Sequence, residues 1–75
     1  MSKTLEDEIK YQTQRTKESI LATFVNDDDI SISLIQRRCR CGYNSAARAF
    51  DELVSEDVIK KPIGNGISKF KPLNQ

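Results

Sequence analysis

Histidine is absent from this 75-residue chain, and so is tryptophan. Without imidazole, the commonest general base and the commonest neutral metal ligand are both missing. Cysteine occurs only at Cys39 and Cys41. Two thiols without histidine cannot complete a four-ligand structural zinc site within one chain, and cysteines one residue apart make a poor disulfide framework. They read as small buried hydrophobes in a reducing compartment, with thiol redox sensing as the lesser alternative. No apolar run approaches the ~20 residues that span a bilayer. Met1-Ser2-Lys3-Thr4 lacks the apolar core of a secretory signal. A cytoplasmic protein with no membrane partner is expected. A chain this short buries only about 60% of its unfolded surface, which leaves room for one small core and one working surface but not for a large cavity. No catalytic residue, metal or cofactor is assigned, and an enzyme is the least favoured class.

What the chain does have is charge, unevenly placed. The formal net charge is only +1, yet residues 1–32 hold four basic against seven acidic side chains, and residues 33–75 hold eight basic against four acidic. A basic half raises the odds of a nucleic-acid partner, because neutralising phosphates supplies most non-specific affinity. Inside that half lies Gln36-Arg37-Arg38-Cys39-Arg40-Cys41-Gly42-Tyr43-Asn44-Ser45-Ala46-Ala47-Arg48-Ala49-Phe50. It reads as a short helix, a Gly-centred turn and a second helix with an apolar back and a polar front. This is the layout of a helix-turn-helix whose second helix enters a DNA groove.

The flanking segments extend the pattern. Residues 1–15 are polar and are expected as an N-terminal extension, helical or frayed; Thr4 can cap it, and Leu5, Ile9 and Gln12 form a thin stripe. Residues 16–75 are expected as the folded domain. Its first helix runs from about Thr16 to Val25, with Ile20, Leu21, Phe24 and Val25 as one wide apolar face. Asn26-Asp27-Asp28-Asp29 reads as a solvated turn; the alternate-ligand spacing and closing Glu of a calcium loop are missing. Ile30-Ser31-Ile32 suits a very short strand, and Ser33 can cap a helix over about Leu34–Arg40, with Leu34, Ile35 and Cys39 inward. Tyr43 is expected to pack beneath the turn at Gly42. The next helix, about Asn44–Glu56, buries Ala46, Ala47, Phe50, Leu53 and Val54 and exposes Asn44, Ser45, Arg48 and Glu52. Two alternating runs around Gly64-Asn65-Gly66 then predict a β-hairpin, with Val58, Ile59, Ile67 and Phe70 inward and the lysines outward. Helix, short strand, helix, helix, hairpin is the order of an α+β winged helix, three helices plus a C-terminal β-hairpin wing.

Residues Ile30 to Arg48, centred on Gln36-Arg37-Arg38 and Gly42-Tyr43-Asn44, closely resemble the gamma domain of FtsK and SpoIIIE DNA translocases. The resemblance covers roughly residues 16–72. It implies a winged helix that binds short, directional, G-rich double-stranded DNA and also touches the XerD recombinase. By that resemblance Asn44 and Arg48 are base-contacting residues, and Arg37, Arg38 and Arg40 serve phosphate contacts or packing near them. Cys39 and Cys41 stand at aliphatic positions of the family pattern. Ser45 stands where the family carries Arg, removing one long basic reader, and Asp57 replaces a Gly. The motor's phosphate loop has no counterpart here, so the resemblance is to a free-standing gamma-type domain.

The leading reading is therefore a small sequence-specific double-stranded DNA-binding protein, regulatory in kind, of the sort that plasmids, phages and other mobile elements encode for transcription control. The working residues would be Arg37, Arg38, Arg40, Asn44, Ser45 and Arg48, with Lys60, Lys61, Lys69 and Lys71 of the wing on backbone. The alternative is a protein-interaction winged helix, a recombinase or translocase partner, because Asp51, Glu52, Glu56 and Asp57 put acid on and after the second helix of the motif. Self-association into a homodimer through residues 1–15 is a further expectation.

Overall fold

The computed structural model describes residues 5–62, 64 and 66–72, with side chains from residue 7 onward. The expected cap at Thr4 and the turn residue Asn65 lie outside them, as does the side chain of the stripe position Leu5. Three helices and a small three-stranded sheet make up the fold: α1 (Leu5–Thr23), β1 (Asp29–Ile30), α2 (Ile32–Cys39), α3 (Tyr43–Ser55), β2 (Ile59–Lys60) and β3 (Ser68–Phe70). The sheet is antiparallel with order β1-β3-β2, so the last strand inserts between the first two. This is the winged-helix architecture expected from the order of elements.

α1 is one unbroken helix of 19 residues, and the expected division between residues 15 and 16 falls inside it. Its buried positions are Thr13, Thr16, Lys17, Ile20 and, just past its end, Phe24. These fall at i, i+3, i+4, i+7 and i+11, a helical stripe in which three of five members are polar. The threonines satisfy their hydroxyls locally: Thr13 Oγ1 donates to the Ile9 carbonyl at 2.8 Å and Thr16 Oγ1 to the Gln12 carbonyl at 2.9 Å. The expected wide face of Ile20, Leu21, Phe24 and Val25 is corrected accordingly. Leu21 and Val25 are exposed, because the helix turns its Thr13–Phe24 stripe to the core instead.

The acidic turn is hooked to the wing. Asp27 takes a left-handed conformation at φ 74°, and its N–H donates to the Phe70 carbonyl at 2.7 Å. The Phe70 N–H donates back to the Asp28 carbonyl at 2.9 Å, and the Asp28 carboxylate accepts from the Val25 N–H at 2.9 Å. Backbone pairing therefore begins earlier than Ile30-Ser31-Ile32 suggests. The strand is Asp29–Ile30, and Ser31 rather than Ser33 caps α2, its hydroxyl accepting from the Leu34 N–H at 3.2 Å.

The turn between α2 and α3 also differs from its expected form. Its left-handed residue is Arg40, at φ 55° and ψ 52°, while Gly42 is extended at φ −76° and ψ 167° and serves as the N-cap of α3. Tyr43 is exposed rather than packed under the turn. It is the first residue of α3, at the open end of the helix. Ala49 is fully buried where Ala47 was expected, and Ala47 is only half-buried. The core closes with Ile30, Ile35, Ile59 and Phe70, whose ring centroid lies 6.0 Å from that of Phe24. Ile67, expected inward, is exposed: it precedes β3, whose inward residue is Phe70.

α3 ends in a Schellman motif: the Val58 N–H donates to the Leu53 carbonyl at 2.8 Å and the Asp57 N–H to the Val54 carbonyl at 3.1 Å. Asp57 sits at φ 67°, the left-handed geometry that glycine adopts without strain. Asp57→Gly is expected to stabilise the fold by about 0.5–1 kcal/mol, raising Tm by roughly 3–6 °C in thermal unfolding. Phe70→Ala should destabilise by about 3–5 kcal/mol, enough to unfold much of so small a domain in the same measurement.

Candidate nucleic-acid interface

The outward stripe of α3 consists of Asn44, Arg48, Asp51 and Ser55, at i, i+4, i+7 and i+11. It stands opposite the buried stripe of Ala46, Ala49, Phe50 and Leu53, so core packing fixes which way it points. Asn44 and Arg48 lie one turn apart near the N-terminal end, and Ser45 flanks them half-exposed. Gly42 offers no side-chain cap, so the positive end of the helix faces outward beside Asn44.

α2 delivers the neighbouring cations. Ile35 is buried at the helix centre, which places Arg37, two residues on, toward solvent. Arg40 is exposed in the left-handed turn position. Arg37, Arg40 and Arg48 make no ion pair among the described residues. Arg38 behaves differently. Its guanidinium lies 5.0 Å from the centre of the Phe24 ring and 3.7 Å from the Asp28 carboxylate, so it braces α2 against the end of α1.

The four wing lysines divide as well. Lys61 stands over the Phe50 ring of α3, 5.7 Å from its centroid, with no carboxylate partner among the described residues. Lys69 is hydrogen-bonded to Asp29 at 2.6 Å, Lys71 is paired with Asp27 at 2.6 Å and Lys60 with Asp57 at 3.2 Å. Asp29 and Lys69 are direct cross-strand partners; Asp27 precedes the strand in a left-handed turn position and reaches Lys71 from there. The hydrogen bond from Lys71 holds the Asp27 carboxyl below its ordinary range, and the bond to Asp29 raises the Lys69 ammonium above its own. These groups are exposed, so the pairs contribute little stability and are screened by salt. The Asp27 contribution is present above the ordinary carboxylate range and fades as pH falls through the lowered value.

The acids of α3 are similarly occupied. Glu52 and Glu56 both bind Lys17 of α1, at 3.1 and 2.7 Å, while Asp51, on the outward stripe, has no ion-pair partner among the described residues. Cys39 and Cys41 are half-buried against the core, and Cys41 Sγ points at the Ile35 carbonyl, 3.9 Å away. Burial pushes both thiols up, which keeps thiolate scarce at neutral pH. A surface groove of about 340 Å³ runs between β1, the start of α2 and the wing loop, lined by Asp29, Leu34, Ile67 and Ser68 among others. None of the ten expected site residues lines it.

With this geometry in place, comparison with known families is decisive. The family described as the Ftsk gamma domain matches residues 12–67, most of the chain. The chain belongs to the FtsK gamma domain family. Comparison with curated proteins and with solved structures gives no significant match. As an FtsK gamma domain the protein is a winged helix of a family with DNA-related roles. Among the described residues, no helix is long and apolar enough to cross a membrane.

Sequence reasoning missed Lys17 and the counter-ion roles of Asp27, Asp28 and Asp29. A signal for the aspartates was present: acids spaced i, i+2 at positions 27 and 29 face bases spaced i, i+2 at 69 and 71, the pattern of two paired strands. Replacing both acids, Asp27→Asn with Asp29→Asn, should release Lys69 and Lys71. Affinity for a random duplex at low salt is then expected to rise several-fold, and the salt slope to steepen by about 0.9 for each lysine that engages a phosphate. Fluorescence anisotropy across a salt series checks this; an unchanged slope would show that the wing lysines do not reach the duplex.

Proposed function

We propose that this FtsK gamma domain is a small sequence-specific double-stranded DNA-binding protein of regulatory function, acting by recognition rather than catalysis. The observation that carries the reading is Asn44 and Arg48, one turn apart on the outward stripe of α3, with Arg48 free of ion pairs among the described residues. Side chains of this kind read base edges in the major groove: Asn is matched to adenine and Arg to guanine, each through two hydrogen bonds. Arg37 and Arg40 would take flanking phosphates, and Lys61 would approach backbone from the wing side. Lys60, Lys69 and Lys71 would contribute only by exchanging their present carboxylates for phosphates. Ser45 brings a short hydroxyl to the groove, so fewer base edges are read directly.

The protein-interaction reading is weakened, because three of the four acids that would repel DNA are ion-paired within the fold. Glu52 and Glu56 are held by Lys17 and Asp57 by Lys60. A recombinase-type partner or a second copy of the chain would extend the DNA reading by adding a further contact or a second half-site.

Selection of bound sequences from a random duplex library, followed by titration of cognate and scrambled duplexes, tests the proposal. Arg48→Ala is expected to cost about 1–3 kcal/mol on the cognate duplex and to relax preference at one base pair. Arg37→Ala should weaken both duplexes alike and reduce the salt slope by about one. If the cognate-to-scrambled ratio is unchanged by Arg48→Ala, Arg48 does not read a base.

A further inference from the structure

Lys17 occupies an unusual place for an ammonium group. Its side chain is nine-tenths buried at the middle of α1, and Nζ emerges against α3, donating to Glu52 Oε1 at 3.1 Å and to Glu56 Oε2 at 2.7 Å. The bond to Glu56, and then that to Glu52, raises its pKa above the ordinary lysine value despite the opposing cost of burial. The charge therefore persists throughout the neutral range, fading only as pH rises through the raised value.

Glu52 lies four residues after Arg48 on the same helix. Arginine and glutamate at that spacing are neighbours, with about 5–6 Å between Cβ atoms, and they pair readily on exposed helix faces. Arg48 nevertheless makes no ion pair among the described residues, while the Glu52 carboxylate turns away to α1. Glu56 is a further turn along, out of Arg48's reach. Asp51, three residues after Arg48, is also unpaired with it.

We propose that Lys17 is a positioning residue for DNA reading: by holding Glu52 on the α1 side of the recognition helix, it keeps that carboxylate off Arg48 and leaves the guanidinium free for a base edge. This rests on the base-reading role of Arg48. Without Lys17, Glu52 competes with DNA for Arg48 and adds an uncompensated negative charge one turn from the groove.

A double-mutant cycle on the full chain tests it. Lys17→Met should weaken cognate binding at low salt by about three- to tenfold, the combined effect of one helical ion pair and one added charge near phosphates. Glu52→Gln alone should change affinity by less than about twofold, because Lys17 already occupies that carboxylate, but in the Lys17→Met background it should restore binding to within about twofold of the original. Glu56→Gln should rescue poorly. An equal gain from Glu52→Gln in both backgrounds, or no loss from Lys17→Met, overturns the proposal. Should Lys17→Met fail to fold, NMR of the Arg48 Nε–H group in the unaltered protein decides: a freely rotating guanidinium supports the proposal, and a persistent pair with Glu52 refutes it. Absence of binding to any duplex by the unaltered protein would instead defeat the DNA reading, leaving the NMR result to report only on whether Arg48 pairs with Glu52.

Discussion

Charge pairing between the two halves of the chain governs how this domain presents itself. The basic half carries eight Lys and Arg residues, and half of them are tied to carboxylates: Arg38 to Asp28, Lys60 to Asp57, Lys69 to Asp29 and Lys71 to Asp27. Three of those acids come from a single turn, the Asp27-Asp28-Asp29 run between α1 and β1. The same turn is joined to β3 by backbone hydrogen bonds, so the counter-charges are held where the wing lysines emerge. What remains uncompensated is concentrated on α2, the turn and α3. An almost neutral protein thus offers a localised basic surface, and field focusing rather than net charge would direct a polyanion to it.

Packing also fixes what α3 presents to solvent. Its buried stripe is made of two alanines, a phenylalanine and a leucine. The small residues permit close approach of α1 and α2, and the large ones lock the rotation of the helix about its axis. Fixing that rotation is what aims Asn44 and Arg48 outward. The pairs from Lys17 to Glu52 and Glu56 act on the same helix farther along, so hydrophobic contacts set its orientation and ionic contacts set the charge of its surface. Left-handed residues at Arg40 and Asp57 bound the helix on either side, and both are non-glycine. Arg40 retains a guanidinium at the turn, at the cost of about 1 kcal/mol that glycine would avoid.

Much of this was legible in the sequence. The order of elements, the helix-turn-helix at Gln36–Phe50 and the outward Asn44 and Arg48 follow from periodicity and turn chemistry, and the family resemblance rests on the same residues. α1 was harder to read, because Thr13, Thr16 and Lys17 occupy three of its buried positions and mask the helical period. Leu21 and Val25 look like core by type but fall off that stripe. The capping shift from Ser33 to Ser31 has a tertiary cause: β3 pairs with Asp29–Ile30, which leaves Ser31 as the next residue free to cap. Gly42 drew attention as a turn residue, whereas the strained position is Arg40, since a helix N-cap needs extended backbone that any residue adopts. Lys69 and Lys71 read as free cations because their partners, Asp29 and Asp27, lie some forty residues away along the chain.

The account stands or falls on which surface meets DNA. Backbone-amide chemical-shift mapping of the full chain, titrated with its selected duplex at low salt, addresses this directly. The account predicts the largest shifts over residues 37–48 and near Lys61, with the exposed side of α1 around Tyr11, Leu21 and Val25 unaffected. Shifts confined to α1, or no shifts with any duplex, would contradict it.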